Sequence, residues 1–214
     1  MARDQILYFV KYPEPGKVKT RLAKSLGDEV AAKMYRELAE TNLKVLSSLQ
    51  PQVSIVITFD PPEADKKMRA WLGGEHAYRP QFGNGLTERL THAFREAFAE
   101  GAGCVVAIGS DTLGLSIECA RQAFDSLKKY DVALGPAKDG GYYLIGLSGP
   151  QPLLFEDIPW STKEVLEATV KCIKTQGLTY YLTQELEDLD QIENLGRTLV
   201  ALTPSFTNSR KSLS

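Results

Sequence analysis

The stretch Cys104-Val105-Val106-Ala107-Ile108-Gly109-Ser110-Asp111 decides how this chain reads: an apolar run ends abruptly in two small residues and a carboxylate. Its length and β-branched character are those of a strand covered on both faces, as in the parallel sheets of α/β folds. In open α/β sheets the ligand crevice lies outside the carboxyl ends of the strands. Asp111 thus stands where a buried strand surfaces and is the first candidate site residue. The alternative is an Asx turn in which Asp111 caps its own loop.

Outward from this run, strand-like and helix-like segments alternate, the pattern of an α/β layer fold with a mostly parallel sheet. Ile6 to Val10 reads as the first strand. After a Pro/Gly loop a long helix is expected over Asp28 to Ser48, with an apolar stripe of Val30, Met34, Leu38, Val45 and Leu49. Val53 to Phe59 is the second strand, followed by a short helix with Met68 and Leu72 and a weak strand near Ala77 to Gln81. Leu86, Leu90, Phe94 and Phe98 recur at helical spacing, and Gly101 and Gly103 end that helix before the strand that carries Asp111. Ser116 is placed to cap a helix to about Lys129. Val132 to Ala137 and Tyr142 to Leu147 flank Gly140-Gly141, which predicts a hairpin and hence an antiparallel strand in an otherwise parallel sheet. Ser161-Thr162-Lys163-Glu164 has the form of a capping box for a helix to about Thr175; Leu178 to Leu182 reads as a strand, and Asp190 opens a last helix.

The chain has 214 residues, room for one α/β domain over residues 1–202 with a polar, frayed tail over 203–214. With 25 Lys and Arg against 27 Asp and Glu, no general electrostatic grip on nucleic acid or an anionic membrane is expected, so any anion site is local. Cys104, Cys119 and Cys172 lie far apart without a C-x-x-C pair, which speaks against disulfides and zinc. No apolar run is long enough to span a bilayer or form a signal-peptide core, so a cytoplasmic location is expected.

Three further segments can carry chemistry. Lys11 to Arg21 places Lys11, Lys17, Lys19 and Arg21 in the loop after the first strand, where dinucleotide folds hold phosphates, although Gly16-Lys17 lacks the upstream glycine of a Walker motif. A solvated basic loop is the plainer alternative. Asp139-Gly140-Gly141 can bring a carboxylate and bare backbone against a ribose, a sugar hydroxyl or a metal-bound water, or it is a simple hairpin turn. In Asp188-Leu189-Asp190 an extended backbone puts both carboxylates on one side, suited to a divalent cation whose other ligands are phosphate and water; the competing role for Asp190 is a helix N-cap. Gly83-Asn84-Gly85 reads as a turn that delivers Gln81 and Arg89 to a ligand. A serine hydrolase is not expected: after Gly109-Ser110 the downstream glycine of G-x-S-x-G is missing, and His76 and His92 both precede the serine, contrary to the α/β-hydrolase order. Neither histidine has metal-ligand spacing.

In order, these segments resemble the bacterial GT-A-like nucleotide-diphospho-sugar transferases of about this length, glycosyltransferases often encoded near radical-SAM enzymes. The marks are the Lys11 to Arg21 loop, Gly85-Leu86-Thr87-Glu88-Arg89-Leu90, Ile108-Gly109-Ser110-Asp111, Asp139 to Leu147, Pro159-Trp160-Ser161-Thr162 and Asp188-Leu189-Asp190. The family is distantly similar to molybdenum-cofactor guanylyltransferase and phospholactate guanylyltransferase.

The resemblance implies a single-domain GT-A-like three-layer α/β/α fold with a mixed, mostly parallel sheet. It implies a nucleotide or nucleotide-sugar substrate and an acceptor, with Mg²⁺ or Mn²⁺ held by Asp111, Asp190 and Asp188. Lys11, Lys19, Thr20 and Arg21 would meet the phosphates; Gln81, Gly85 and Arg89 would lie near base or ribose, beside Gly140 and Gly141. Asp139, Lys19 and Arg21 would serve catalysis. A homodimer is left open. Thr112-Leu113-Gly114-Leu115 departs from the family pattern, which has a proline two residues after Gly-Ser-Asp, so the loop beyond Asp111 is expected to be less rigid. The lone Asp111, with no Asp-x-Asp, keeps nucleotidyl transfer with pyrophosphate release as the alternative to sugar transfer, and a non-catalytic nucleotide-binding module as a third reading.

Overall fold

The structure, a computed structural model, describes residues 3–190. The last helix expected from Asp190 and the tail from Thr203 lie outside these residues. Strand β1 (Asp4–Lys11) leads through the basic loop into a short helix α1 (Thr20–Leu26), then α2 (Asp28–Ser47) and β2 (Val53–Asp60). A single 3₁₀ turn and α3 (Asp65–Leu72) precede β3 (Ala77–Pro80) and α4 (Leu86–Ala99). There follow β4 (Val105–Gly109), β5 (Thr112–Leu113), α5 (Ile117–Ser126), the pair β6 (Val132–Pro136) and β7 (Tyr142–Leu147), α6 (Val165–Thr175), β8 (Tyr180–Leu182) and β9 (Glu187–Asp188).

Seven strands form one sheet in the order β3-β2-β1-β4-β7-β6-β8. β7 runs antiparallel to both neighbours and the other pairings are parallel, so the hairpin expected around Gly140-Gly141 is the one reversal in this sheet. Residues of β4 divide strictly between two cores. Val106 and Ile108 join Ile6, Tyr8, Ile55 and Ile57 beneath α2 and α5; Val105 and Ala107 join Leu7 and Val56 beneath α4 and α6. That alternation is the period of a strand covered on both faces, and it makes the α/β/α sandwich.

Helix α2 is rotated from the expected stripe. Its buried face is Ala31, Ala32, Tyr35, Ala39, Asn42, Leu43 and Leu46, whereas Val30 is 47% exposed. The alanines let the helix lie close on the sheet, while Met34 and Leu38 turn sideways to pack with Leu22. Helix α1, not anticipated, exists to receive them. Ser116 caps α5 as expected, accepting from Cys119 N. The Ser161 to Glu164 box does not cap: Ser161 is left-handed, Thr162 Oγ1 donates to Pro159 O and accepts from Glu164 N, and α6 begins only at Val165. The three cysteines are free, and no helix among the described residues is long and apolar enough to cross a membrane.

Gly135 marks a tight approach between β6 and β7, since a Cβ there would lie 2.5 Å from Tyr143 Cζ and 2.9 Å from Leu144 Cβ. Gly135→Ala should therefore cost about 1–3 kcal/mol in urea unfolding, the usual penalty for overpacking. Gly149→Ala, where a Cβ meets nothing within 4 Å, should stay within about 1 kcal/mol of the parent; equal effects at the two positions would contradict this packing account.

Candidate functional site

Parallel register brings the ends of β1, β2 and β4 to one edge: Lys11 pairs with Asp60, and Phe9 with Gly109. Loops after these strands wall a cleft of about 660 Å³, within the range of small-molecule sites. The basic loop is no solvated tether. Val18 is buried in the main core, and between exposed Lys17 and exposed Thr20 the Lys19 side chain is only 8% exposed. Lys19 has a left-handed backbone (φ 49°), uncommon for a residue with a side chain, and this conformation opens α1. All four cations line the cleft, as does Thr20.

Lys19 Nζ donates to Asp111 Oδ2 at 2.6 Å and to Asp190 Oδ1 at 2.8 Å. Arg21 Nη1 lies 3.8 Å from Asp190 Oδ2. Burial works against the ammonium charge, but the Asp111 and Asp190 carboxylates outweigh it and hold Lys19 above the usual lysine range. Asp111 thus binds Lys19 where an Asx turn would have it bind its own loop.

The meeting of Asp111 and Asp190 depends on a second, two-stranded ribbon. β5 pairs with β9, Thr112 opposite Asp188, and Leu189 N donates to Asp111 O at 2.9 Å. Leu189 is buried against Leu22 and Ala31, so Asp188 and Asp190 share the other side, as the alternation predicts, and both line a second cleft. The segment after Asp111 is accordingly fixed, contrary to the expectation of a looser loop. Thr112 is fully buried and its carbonyl accepts from Asn42 Nδ2 at 2.9 Å.

Asp188 does not reach Lys19 as Asp111 and Asp190 do. Its Oδ1 and Thr112 Oγ1, on residues paired across the ribbon, are both buried and among the described residues have only each other as a weak partner, outside good hydrogen-bond geometry. Burial first, and then repulsion from Asp111, push the Asp188 carboxyl up to about 7, with Lys19 opposing. Among the described residues no three His, Cys, Asp or Glu side chains converge as a ready-made metal cage. A Mg²⁺-type ion needs only one or two carboxylates when phosphate and water complete its shell. Asp111 and Asp190 supply two, aimed at a point already holding a cation, with the buried Asp188 oxygen close by; the donor chemistry fits a divalent cation.

At the other end of the cleft, Gln81 Nε2 donates to Thr58 O, and Gln81 Oε1 accepts from Arg89 Nη1 at 3.0 Å. Arg89 also donates to Gly83 O and lies 3.3 Å from Asp60 Oδ1. Gln81 therefore aims Arg89. Gly83, with φ 120°, packs against Glu88, whose Oε2 accepts from Asn84 N, and Gly85 faces open space at the start of α4. Leu86, the first of the four residues at helical spacing, is 40% exposed and lines both clefts. The histidines stand apart from the clefts, His92 against Phe82 and Glu96.

The second cleft, of about 720 Å³, shares Arg21, Leu86 and Asp190 with the first. Asp139 lines it and accepts from Gly141 N at 2.9 Å. A Cβ on Gly140, where φ is 91°, would strike the Lys163 backbone, and Gly140 O accepts from Leu166 N. This glycine presses the hairpin onto the loop carrying Trp160, whose Nε1 donates to Thr87 Oγ1 at 2.7 Å. Gly141 and Trp160 line the same cleft. Gly140 itself lies against protein, so its part is close packing.

Residues 43–162 match the family described as uncharacterized protein conserved in bacteria (DUF2064). The chain belongs to this family. It is 37% identical to a candidate nucleotide-diphospho-sugar transferase from Desulfovibrio desulfuricans G20, whose crystal structure it matches with a TM-score of 0.88 over 99% of this chain and 92% of that one. The fold recurs in a 4-diphosphocytidyl-2C-methyl-D-erythritol synthase from Anaerococcus prevotii DSM 20548 (10% identity, TM-score 0.62, 94% and 98% covered). It recurs too in glucosyl-3-phosphoglycerate synthase from Mycobacterium tuberculosis, solved with Mn²⁺, UDP and glucosyl-3-phosphoglycerate (11% identity, TM-score 0.55, 94% and 78% covered). No curated protein matches. The GT-A-like nucleotide-diphospho-sugar transferase fold is thus the one read from the sequence.

Two residues that the sequence reading missed hold this site from behind. Tyr35 OH accepts from Lys11 N and shares a hydrogen bond with Ser110 Oγ, each at 2.8 Å; Asn42 Nδ2 donates to Ser110 O and Thr112 O. Two polar side chains seven apart on a buried helix face were the available signal. Asn42→Ala leaves two buried carbonyls without that donor and should destabilise by about 1–3 kcal/mol in urea unfolding. A change under about 0.5 kcal/mol, the scale of an ordinary surface substitution, would show that the Ser110 loop is held by other means.

Proposed function

We propose that this chain is a metal-dependent transferase that takes a nucleotide diphospho-sugar as donor and passes the sugar to an acceptor hydroxyl. The observation that carries this reading is the cluster of Lys19, Arg21, Asp111 and Asp190 at the seam where two clefts adjoin, one of about 660 Å³ lined by the basic loop and one walled by Asp139. Asp111 and Asp190, with Asp188 beside them, would hold Mg²⁺ or Mn²⁺. Bound there, the ion supplies Lewis-acid neutralisation of a departing diphosphate.

In this reading Lys11, Arg21 and Lys19, with the Thr20 hydroxyl, bind the diphosphate, and the three cations bring positive charge to where the leaving group becomes anionic. Gln81 and Arg89, with the open backbone at Gly85, face base and ribose. Asp139, oriented by Gly141 N, takes the proton of the attacking hydroxyl as the bond between anomeric carbon and diphosphate oxygen breaks. Gly140 and Gly141 keep the hairpin close enough for that. Leu86 and Trp160 restrict water at the seam.

Nucleotidyl transfer is the second reading. It is favoured by the lone carboxylate at the β4 end, where sugar transferases usually carry Asp-x-Asp. The same cations would serve a phosphoryl centre, since that chemistry is mostly positioning and charge neutralisation.

The test is incubation with Mg²⁺ or Mn²⁺ and panels of nucleotide sugars and nucleoside triphosphates, with products read by mass spectrometry. Nucleoside diphosphate formed from a nucleotide sugar is expected; pyrophosphate from a triphosphate would replace sugar transfer with the second reading. Binding without either product would leave a nucleotide-binding module. Arg21→Ala should lower turnover roughly 100-fold through lost leaving-group stabilisation. Its side chain is 71% exposed, so the stability cost should stay under about 1 kcal/mol. Full activity in Arg21→Ala would remove Arg21 from the phosphate site.

A further inference from the structure

We propose that Lys19 and a divalent cation are alternative occupants of the Asp111 and Asp190 carboxylates, so that metal enters this site in exchange for Lys19, whose ammonium then passes to the phosphate. The exchange rests on the reading of these two residues as the metal ligands. Lys19 Nζ sits 2.6 Å from one carboxylate oxygen and 2.8 Å from the other, with its side chain almost wholly covered. An ion bridging these same two oxygens from the side they present to Lys19, at about 2.0–2.1 Å for Mg²⁺, would need the volume that Nζ fills. It would also meet a like charge at contact range.

Charge balance sets the order of events. Asp111 and Asp190 face Lys19 and Arg21, so these four formal charges cancel, and even with Asp188 nearby a bare divalent ion gains less by entering than it would at two unpaired carboxylates. A bound diphosphate changes that balance, since it brings the anionic oxygens that an ammonium prefers and leaves the carboxylates to the metal. Lys19 is suited to the transfer, because its charge rides on a flexible four-carbon stem with rotatable donors. The form of nucleotide this site takes is then the metal chelate, and metal and nucleotide raise each other's affinity reciprocally.

The test uses Mn²⁺ alone, with free ion followed by its electron paramagnetic resonance signal. Lys19→Met should bind Mn²⁺ at least 10-fold more tightly than the parent. Lys11→Met, which removes a cation 3.9 Å from Asp60 and off the Asp111 and Asp190 pair, should change Mn²⁺ affinity less than twofold. If Lys19→Met binds Mn²⁺ no more tightly than the parent, or if both variants gain equally, exchange at a shared point is wrong. Should Lys19→Met fail to fold, lysine acetylation mapped by mass spectrometry on the parent protein answers the same question. Lys19 should be protected without metal and become several-fold more reactive at saturating Mn²⁺, relative to exposed Lys17; unchanged protection overturns the proposal. Tighter Mn²⁺ binding by Lys19→Met, together with a parent protein that turns over no nucleotide or nucleotide sugar, would sink the transferase reading alone. Turnover with unchanged Mn²⁺ affinity would sink the exchange alone.

Discussion

Two carboxylates brought together beneath a cleft repel each other unless a cation lies between them, and Lys19 is that cation. Its two hydrogen bonds tie three parts of the chain: the basic loop, the end of β4, and the segment after β9. Asp111 and Asp190 are 36% and 39% exposed, so water screens them partly; Lys19 at 8% is not screened, and its unfavourable backbone persists because the acids anchor the far end of the side chain. The polar centre of the site is thus also a structural clasp, and whatever binds there must deal with it.

Behind the clasp, helix α2 supplies the fixed frame. Tyr35 and Asn42 enter the core side of that helix with polar groups that find partners only in the main chain of Lys11, Ser110 and Thr112 and in the Ser110 hydroxyl. A buried polar group costs free energy unless bonded, so these contacts fix the helix against the loops as firmly as they fix the loops. Tyr8 OH adds a third tie, to Ala39 O of the same helix at 2.7 Å. Burial pushes the Tyr35 hydroxyl well up from its ordinary range, which keeps it neutral as a bridge.

Much of this was legible in the residues because it follows from local pattern. The Val105 to Ile108 run is a strand buried on both faces, and the glycine pair between two apolar stretches is a hairpin. What failed was what local pattern does not encode. The face of α2 turns on which side chains are small enough to approach a sheet, and the mate of Met34 and Leu38 is a helix whose seven residues are too few to announce themselves. Ser161 to Glu164 matches a capping box letter for letter, yet Ser161 is left-handed and the Lys163 backbone is taken up by its packing against Gly140. The site residues could be named singly, but that Lys19 lies between Asp111 and Asp190 depends on the pairing of Thr112 with Asp188, a register set far along the chain.

Chain direction explains why so many acids reach one edge. Because β7 reverses, the connection leaving β6 is a tight turn at the carboxyl edge, where a parallel strand would need a long crossover, and that turn carries Asp139. β8 then runs parallel to β6, so the chain leaves it at the same edge; Leu186 bridges to Ala137, and β9 closes on β5. Among the described residues Asp111, Asp139, Asp188 and Asp190 therefore arrive from three different strand ends at one edge of the sheet. A strand that reverses once, between β4 and β6, sets the Asp139 turn beside the β4 end, so that the two clefts adjoin and share Arg21, Leu86 and Asp190 as common walls.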